Sequence, residues 1–154
     1  MILRLWLVCL ALLPLAACVH AQEAASGSNE RLDRQFQAAV AQYESGRFAE
    51  AAAALEALLR DVPESFELHE LLGLTYSALS QDGKAAPHLE KAVRLKPDYA
   101  DAHNNLGATL FNSGRWQEAV GQFEAALRLR PDYPAARENL SKARQMLPSS
   151  EEKK

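Results

Sequence analysis

The sequence predicts an all-α protein, a solenoid of stacked helix pairs closed by one last helix. Three observations predict it. A unit of 34 residues occurs three times in register without a gap, and repetition at a period of about 20–50 residues marks solenoids and arrays. Each unit carries apolar residues at helical spacing. In the third these are Ala102, Leu106 and Leu110, then Ala119, Val120, Phe123, Ala126 and Leu127. Finally, Pro63, Pro97 and Pro131 share one column. Proline has no N–H to give a helix and pushes its predecessor out of the helical region, so each second helix ends just before it.

The 154 residues leave room for one domain plus extras, and the formal charge is −3. No basic patch stands out, which argues against nucleic acid as a partner. Both cysteines, Cys9 and Cys18, fall before the repeats, so the repeats carry no disulfide framework and no cysteine-based metal site.

Residues 1–17 have one basic residue, Arg4, then an apolar run from Leu5 to Leu13 and small residues after Pro14. That is the layout of a secretory signal peptide, too short to span a bilayer comfortably. Two cleavage sites compete. Leu15-Ala16-Ala17-Cys18 resembles a bacterial lipobox, which implies palmitate-type acylation of Cys18 and a lipoprotein, while Val19-His20-Ala21 before Gln22 resembles an ordinary signal-peptidase site. Val19 is not the acidic residue of an inner-membrane retention signal, so the lipobox resemblance implies the outer membrane. Residues 18–30, small and polar at their end, are expected to form a flexible tether.

The repeats are expected over 32–65, 66–99 and 100–133, a closing helix over 134–147 and a disordered tail over 148–154. Within a unit, two helices must cross closely, which calls for small residues: Gly73 and Gly107 on the first helix, Ala51, Ala85 and Ala119 on the second. Larger residues fill the layer between units, namely Leu72, Leu106, Leu55, Leu89, Phe123, Leu59, Val93 and Leu127. Gly46, Ser80 and Gly114 mark the turn between the two helices. The first copy departs most, with Ala39 in the glycine column and Gln35 in an aromatic one. Pro87 falls inside a second helix, where a slight kink is expected. Glu56/Arg60, Glu90/Arg94 and Glu124/Arg128 are spaced for i,i+4 pairing on a solvated face.

These residues resemble the tetratricopeptide repeat (TPR) family over about 32–133, and the resemblance implies a right-handed α-α superhelix of three TPR units plus a capping helix. It also implies a concave groove, lined by the first helices, that receives a peptide or helix of another protein. Carried over residue by residue, the groove takes Asp33, Phe36, Gln37, Val40 and Tyr43 from the first unit and Glu67, Glu70, Leu71 and Leu74 from the second. The third gives Asp101, Asn104, Asn105, Ala108, Phe111 and Asn112, and the closing helix Glu138, Asn139 and Lys142.

Asn105 and Asn139 lie 34 residues apart and resemble the asparagine ladder of sugar-transferase TPR grooves; an amide both donates and accepts, so each could hold a peptide unit of a bound chain. The alternative is that Asn105 bonds locally. Phe36, Val40, Leu71, Leu74 and Phe111 form an apolar strip, unless it is buried between first helices. An acidic rim (Asp33, Glu67, Glu70, Asp101, Glu138) suits a partner with basic residues around an apolar anchor. The chaperone-binding carboxylate clamp of the family is absent, because its places hold Phe36, Val40, Leu71, Asp101 and Asn105.

No nucleophile constellation or phosphate loop occurs. His69 and His103, 34 apart, stand in one structural column and are read as packing; His88 is expected on the outer face. The expected protein has no enzymatic activity, no cofactor and no metal. It is a protein-binding scaffold of the bacterial envelope, periplasm-facing and touching the membrane only through a lipid anchor. Three alternatives stay open: a soluble periplasmic adaptor cut after Ala21, an accessory subunit of an envelope enzyme, and a self-assembling structural repeat.

Overall fold

The structure, a computed structural model, describes residues 29–148. The leader, Cys18, both cleavage sites and residues 149–154 lie outside the described residues. Every element described is helical: α1 over 29–44, α2 Phe48–Asp61, α3 Phe66–Ala78, α4 Asp82–Leu95, α5 Ala100–Asn112, α6 Trp116–Leu129 and α7 Pro134–Gln145. Contacts divide the chain into two units, Met1–Ala38 and Ala39–Lys154. Of the first, the described part is the helical stretch 29–38. Helix is thus already present at Asn29 and Glu30, inside the expected tether, where Glu30 sits 3.7 Å from Arg34 one turn on. At the other end α7 stops at Gln145, two residues short of the expected Leu147, with Pro148 just beyond.

In the second unit, α3 packs on α4 and α5 on α6, and each pair packs on the next element. The first helices also meet one another, α3 with α5 and α5 with α7. Their turns are alike. Gly46, Ser80 and Gly114 have φ of 76°, 56° and 74°. At each, the following N–H reaches back into the helix: Arg47 to Gln42, Gln81 to Tyr76 and Arg115 to Leu110. These are the bonds of a left-handed C-terminal cap, which satisfies carbonyls the helix leaves orphaned. Ser80 carries a side chain in a conformation that costs an L-residue about 1–2 kcal/mol. Gly114→Ala is therefore expected to destabilise by about 1 kcal/mol in urea unfolding, whereas Ser80→Ala should change little.

The expected small-residue columns sit at the closest approaches. Ala51, Ala85 and Ala119 are fully buried, and so is Ala39 in the first copy. A Cβ on Gly73 would stand 2.6 Å from Leu89 Cγ, and one on Gly107 2.6 Å from Phe123 Cε1. Leu55, Leu72, Leu89, Leu106 and Phe123 form the buried layers, with Leu59, Val93 and Leu127 half-buried beside them. Pro87 lies inside α4 without interrupting it.

One polar column repeats. His69 Nε2 donates to the Pro63 carbonyl at 3.0 Å, His103 Nε2 to Pro97 at 3.0 Å, and Arg137 to Pro131 at 3.0 Å. Each side chain reaches six residues back to tie a first helix to the turn before it. His88, expected on the outer face, is instead half-buried, with its Nδ1 3.1 Å from His69 Nδ1 and its ring stacked on Tyr76. The Glu/Arg pairs expected along the second helices give way to contacts between helices: Glu56 accepts from Tyr76, Glu90 lies 3.6 Å from Arg115, and Glu124 accepts from Arg144 at 2.8 Å. Each of these partners comes from a neighbouring element rather than from the same helix.

Candidate functional site

The first helices of the second unit, α3, α5 and α7, carry most of the residues expected in the groove. Between α5 and α7 lies a cavity of about 200 Å³ lined by Ala108, Phe111, Asn112, Asn139, Lys142 and Phe123. Small Ala108 opens it, and the ring of Phe123 on α6 forms its floor. Ala108 and Phe111 rest on the core and are only partly buried. The apolar floor and walls, with amides and one ammonium at the edge, suit an apolar side chain flanked by polar backbone.

The asparagines are engaged across helices. Asn139 Nδ2 donates to Asn104 Oδ1 at 3.2 Å. Asn139 thus spends one donor of its amide on tying α7 to α5. Leu71 and Leu74 are half-buried on α3. Val40 is half-buried on α1, and Tyr43 meets Phe48 edge-on at 5.4 Å. Phe36 and Gln37 lie in the other unit, Phe36 half-buried and Gln37 exposed.

The acidic rim is largely neutralised from within. Arg130 grips Asp101 with two bonds of 3.0 and 2.6 Å, Lys96 donates to Glu67 at 2.8 Å, and Lys142 lies 2.6 Å from Glu138. Arg130 also covers Tyr133 at 4.6 Å and Lys96 covers Phe66 at 4.1 Å. Burial, with a hydrogen bond to Asp101, pushes Tyr133 up to about 12. Sequence reasoning missed these pairs, yet a signal exists: acid and base are 29 residues apart in both Glu67/Lys96 and Asp101/Arg130.

Among the described residues no group of three or more His, Cys, Asp or Glu is placed to hold a metal ion. None of the described helices is long and apolar enough to cross a membrane. A family model described as tetratricopeptide repeat matches residues 36–97, 83–134 and 109–145. The chain belongs to the tetratricopeptide repeat family.

Solved structures agree on the fold. The TPR domain of Sgt2 from Aspergillus fumigatus is similar over 75% of this chain and 78% of that one, at 20% identity and TM-score 0.69. The first TPR of Spaghetti (RPAP3), bound to the HSP90 peptide SRMEEVD, is similar over 74% and 90%, at 23% identity and TM-score 0.71. A Thermobaculum terrenum O-GlcNAc transferase mutant is 33% identical over 73% of this chain, at TM-score 0.67, but the match spans only 22% of that enzyme. No curated protein matches the chain significantly. The α-α superhelix expected of the TPR family is the fold found.

The groove's ion pairs set how the TPR array responds to acid. The Lys96 hydrogen bond holds Glu67 below its ordinary range, and that of Arg130 does the same for Asp101. Such a depressed acid stabilises the fold above its unfolded pKa, and the contribution is lost as pH falls through the folded one. Glu70 is opposite: burial raises it, so its contribution is present in acid and fades as pH rises. Urea midpoints are expected to fall between pH 5 and pH 3. Asp101→Asn should flatten that fall and cost about 0.5–1 kcal/mol at pH 7, a value reduced for solvent screening. Glu70→Gln should raise the midpoint at pH 7.

Proposed function

We propose that this TPR protein is a protein-binding scaffold whose groove holds a peptide or helix of a partner, with one apolar side chain seated over Phe123. The observation that carries this is the cavity between α5 and α7, apolar at its floor and polar at its rim. A TPR of the same fold is seen with a bound peptide, that of Spaghetti (RPAP3) with SRMEEVD. The partner here differs in chemistry, because the basic residues that would grip an acidic terminus are replaced by Phe36, Val40, Leu71, Asp101 and Asn105. Since Glu67, Asp101 and Glu138 already have internal cations, the apolar anchor supplies most of the affinity, and basic groups of the partner supply less.

The setting proposed is the bacterial cell envelope, in assembly of an outer-membrane, pilus or secretion complex, with Cys18 acylated as a lipoprotein anchor. Its support is the signal-like leader and lipobox resemblance of residues 1–18. The mass of the mature N-terminus tests this: a diacylated start at Cys18 supports the anchor, and a start at Gln22 means a soluble periplasmic form.

The groove is tested by capture from detergent-solubilised envelope, comparing the native protein with Ala108→Arg, which fills the cavity, and with Asn105→Ala/Asn139→Ala, each first checked for helicity. A partner kept by the native protein and lost by at least tenfold in Ala108→Arg supports the reading. Equal retention by all variants moves binding off this groove. A mass that grows with concentration, with no partner retained, would favour self-assembly.

A further inference from the structure

The second and third repeats use the same histidine column, but they close it differently. His103 Nδ1 lies 2.8 Å from Gln122 Oε1, on an amide that can present its NH₂ there by turning over, whereas His69 Nδ1 lies 3.1 Å from another imidazole nitrogen, Nδ1 of His88. Gln122 and His88 occupy one column, each 19 residues after its histidine.

That difference decides how each contact meets a proton. In both repeats Nε2–H is committed to a proline carbonyl, which can only accept. A neutral His69 or His103 therefore presents a lone pair at Nδ1, and its partner must donate. If the histidine is protonated, Nδ1 becomes a donor and the partner must accept. A glutamine amide serves either state by turning over, since it has an NH₂ on one side and an oxygen on the other. An imidazole whose Nδ1 carries hydrogen serves only the first. Once His69 takes a proton at Nδ1, two N–H groups face each other at a distance that requires a shared one.

The surroundings give little relief. From α2, Glu56 faces His88 but is hydrogen-bonded to Tyr76. From α3 come Tyr76 and His69, and Lys84 of α4 sits over the Tyr76 ring at 5.2 Å. In the turn before α3, Glu64 is held by Lys91 of α4. Helix α5 turns its titratable groups elsewhere, Asp101 to Arg130 and His103 to Gln122. His69 is 8% exposed. Burial first, then the neighbouring His69, lowers His88.

We propose that the His69–His88 contact is a proton-operated latch between α3 and α4, closed at neutral pH and opened in mild acid, while the third repeat, with Gln122, stays shut. Glu70, Leu71 and Leu74 of the candidate groove ride on α3 beside it, so opening acts on the second repeat's share of that surface. The sign follows from linkage. His88 takes up a proton in the unfolded chain below about pH 6.5 and resists it in the buried contact, so stability falls as pH falls through that range. This window lies above that of the carboxylates.

The test compares thermal unfolding of the full-length protein at pH 7.5 and pH 5.5 with that of His88→Gln, which copies the third repeat's pairing, and Gln122→His, which builds a second imidazole pair. The native midpoint should drop by about 4 °C. His88→Gln should remove more than half of that drop, and Gln122→His should deepen it. Hydrogen exchange at pH 5.5 should quicken in α4 before α6. An equal drop in native protein and His88→Gln would overturn the proposal. Should His88→Gln fail to fold, a drop no deeper in Gln122→His than in native protein would overturn it.

Discussion

Phe123→Ala is expected to cost about 3–5 kcal/mol, a large share of a domain stability on the order of 5–12 kcal/mol. Phe123 is the largest of the fully buried side chains and is 1% exposed. It packs with Leu89, Leu106, Leu110, Val120 and Leu140, so its loss removes contacts on α4, α5, α6 and α7 together. The thermal midpoint should fall by about 10–20 °C. Phe123→Leu is the comparison that isolates shape, because Leu89 fills the same column over Gly73. Its cost should be about 1–2 kcal/mol. Since Phe123 is also the floor of the cavity, Phe123→Leu should weaken a bound apolar anchor while leaving the fold intact.

Gly107→Ala is expected to destabilise by about 2 kcal/mol, although alanine favours a helix interior by about 1 kcal/mol over glycine. The added Cβ would lie 2.6, 2.8 and 3.0 Å from three atoms of the Phe123 ring. That ring is packed against Leu89, Leu106, Leu110 and Leu140 on the sides away from the cavity, so the two helices must part or the ring must leave its rotamer. Gly121 on α6 supplies the control, since a Cβ there meets nothing within 4 Å. Gly121→Ala should therefore stabilise, by up to about 1 kcal/mol. Opposite signs for one substitution at two helical glycines, read as urea midpoints, would separate close packing from helix propensity. A stabilising Gly107→Ala would mean that α5 and α6 are not locked as close as the structure places them.

Much of the architecture was legible because its causes are local and repeated. A helix period, a proline stop and a left-handed turn each act within a few residues, and three copies average out the exceptions. Ser80 shows the strength of that averaging: it adopts the left-handed conformation of Gly46 and Gly114 although its own preference opposes it. The contents of the groove were less legible. Asn105 and Asn139 align in sequence like rungs, yet Asn139 donates to Asn104, one repeat and one residue away. The 29-residue offset of the ion pairs stands in the sequence, but it acquires meaning only once the ends of α4 and α6 are known to return to the starts of α3 and α5.

The sequence alone determined the class of fold, the number of helix pairs, the turns and the glycine and alanine columns. All of these follow from backbone sterics and from spacing along one chain. Only the tertiary structure decided which charges are spent internally, that Phe123 floors a cavity between α5 and α7, and that His88 faces His69 while Gln122 faces His103. Those facts depend on distances between side chains far apart in sequence. A carboxylate 2.6 Å from a guanidinium and one facing water are the same letter until the helices are packed.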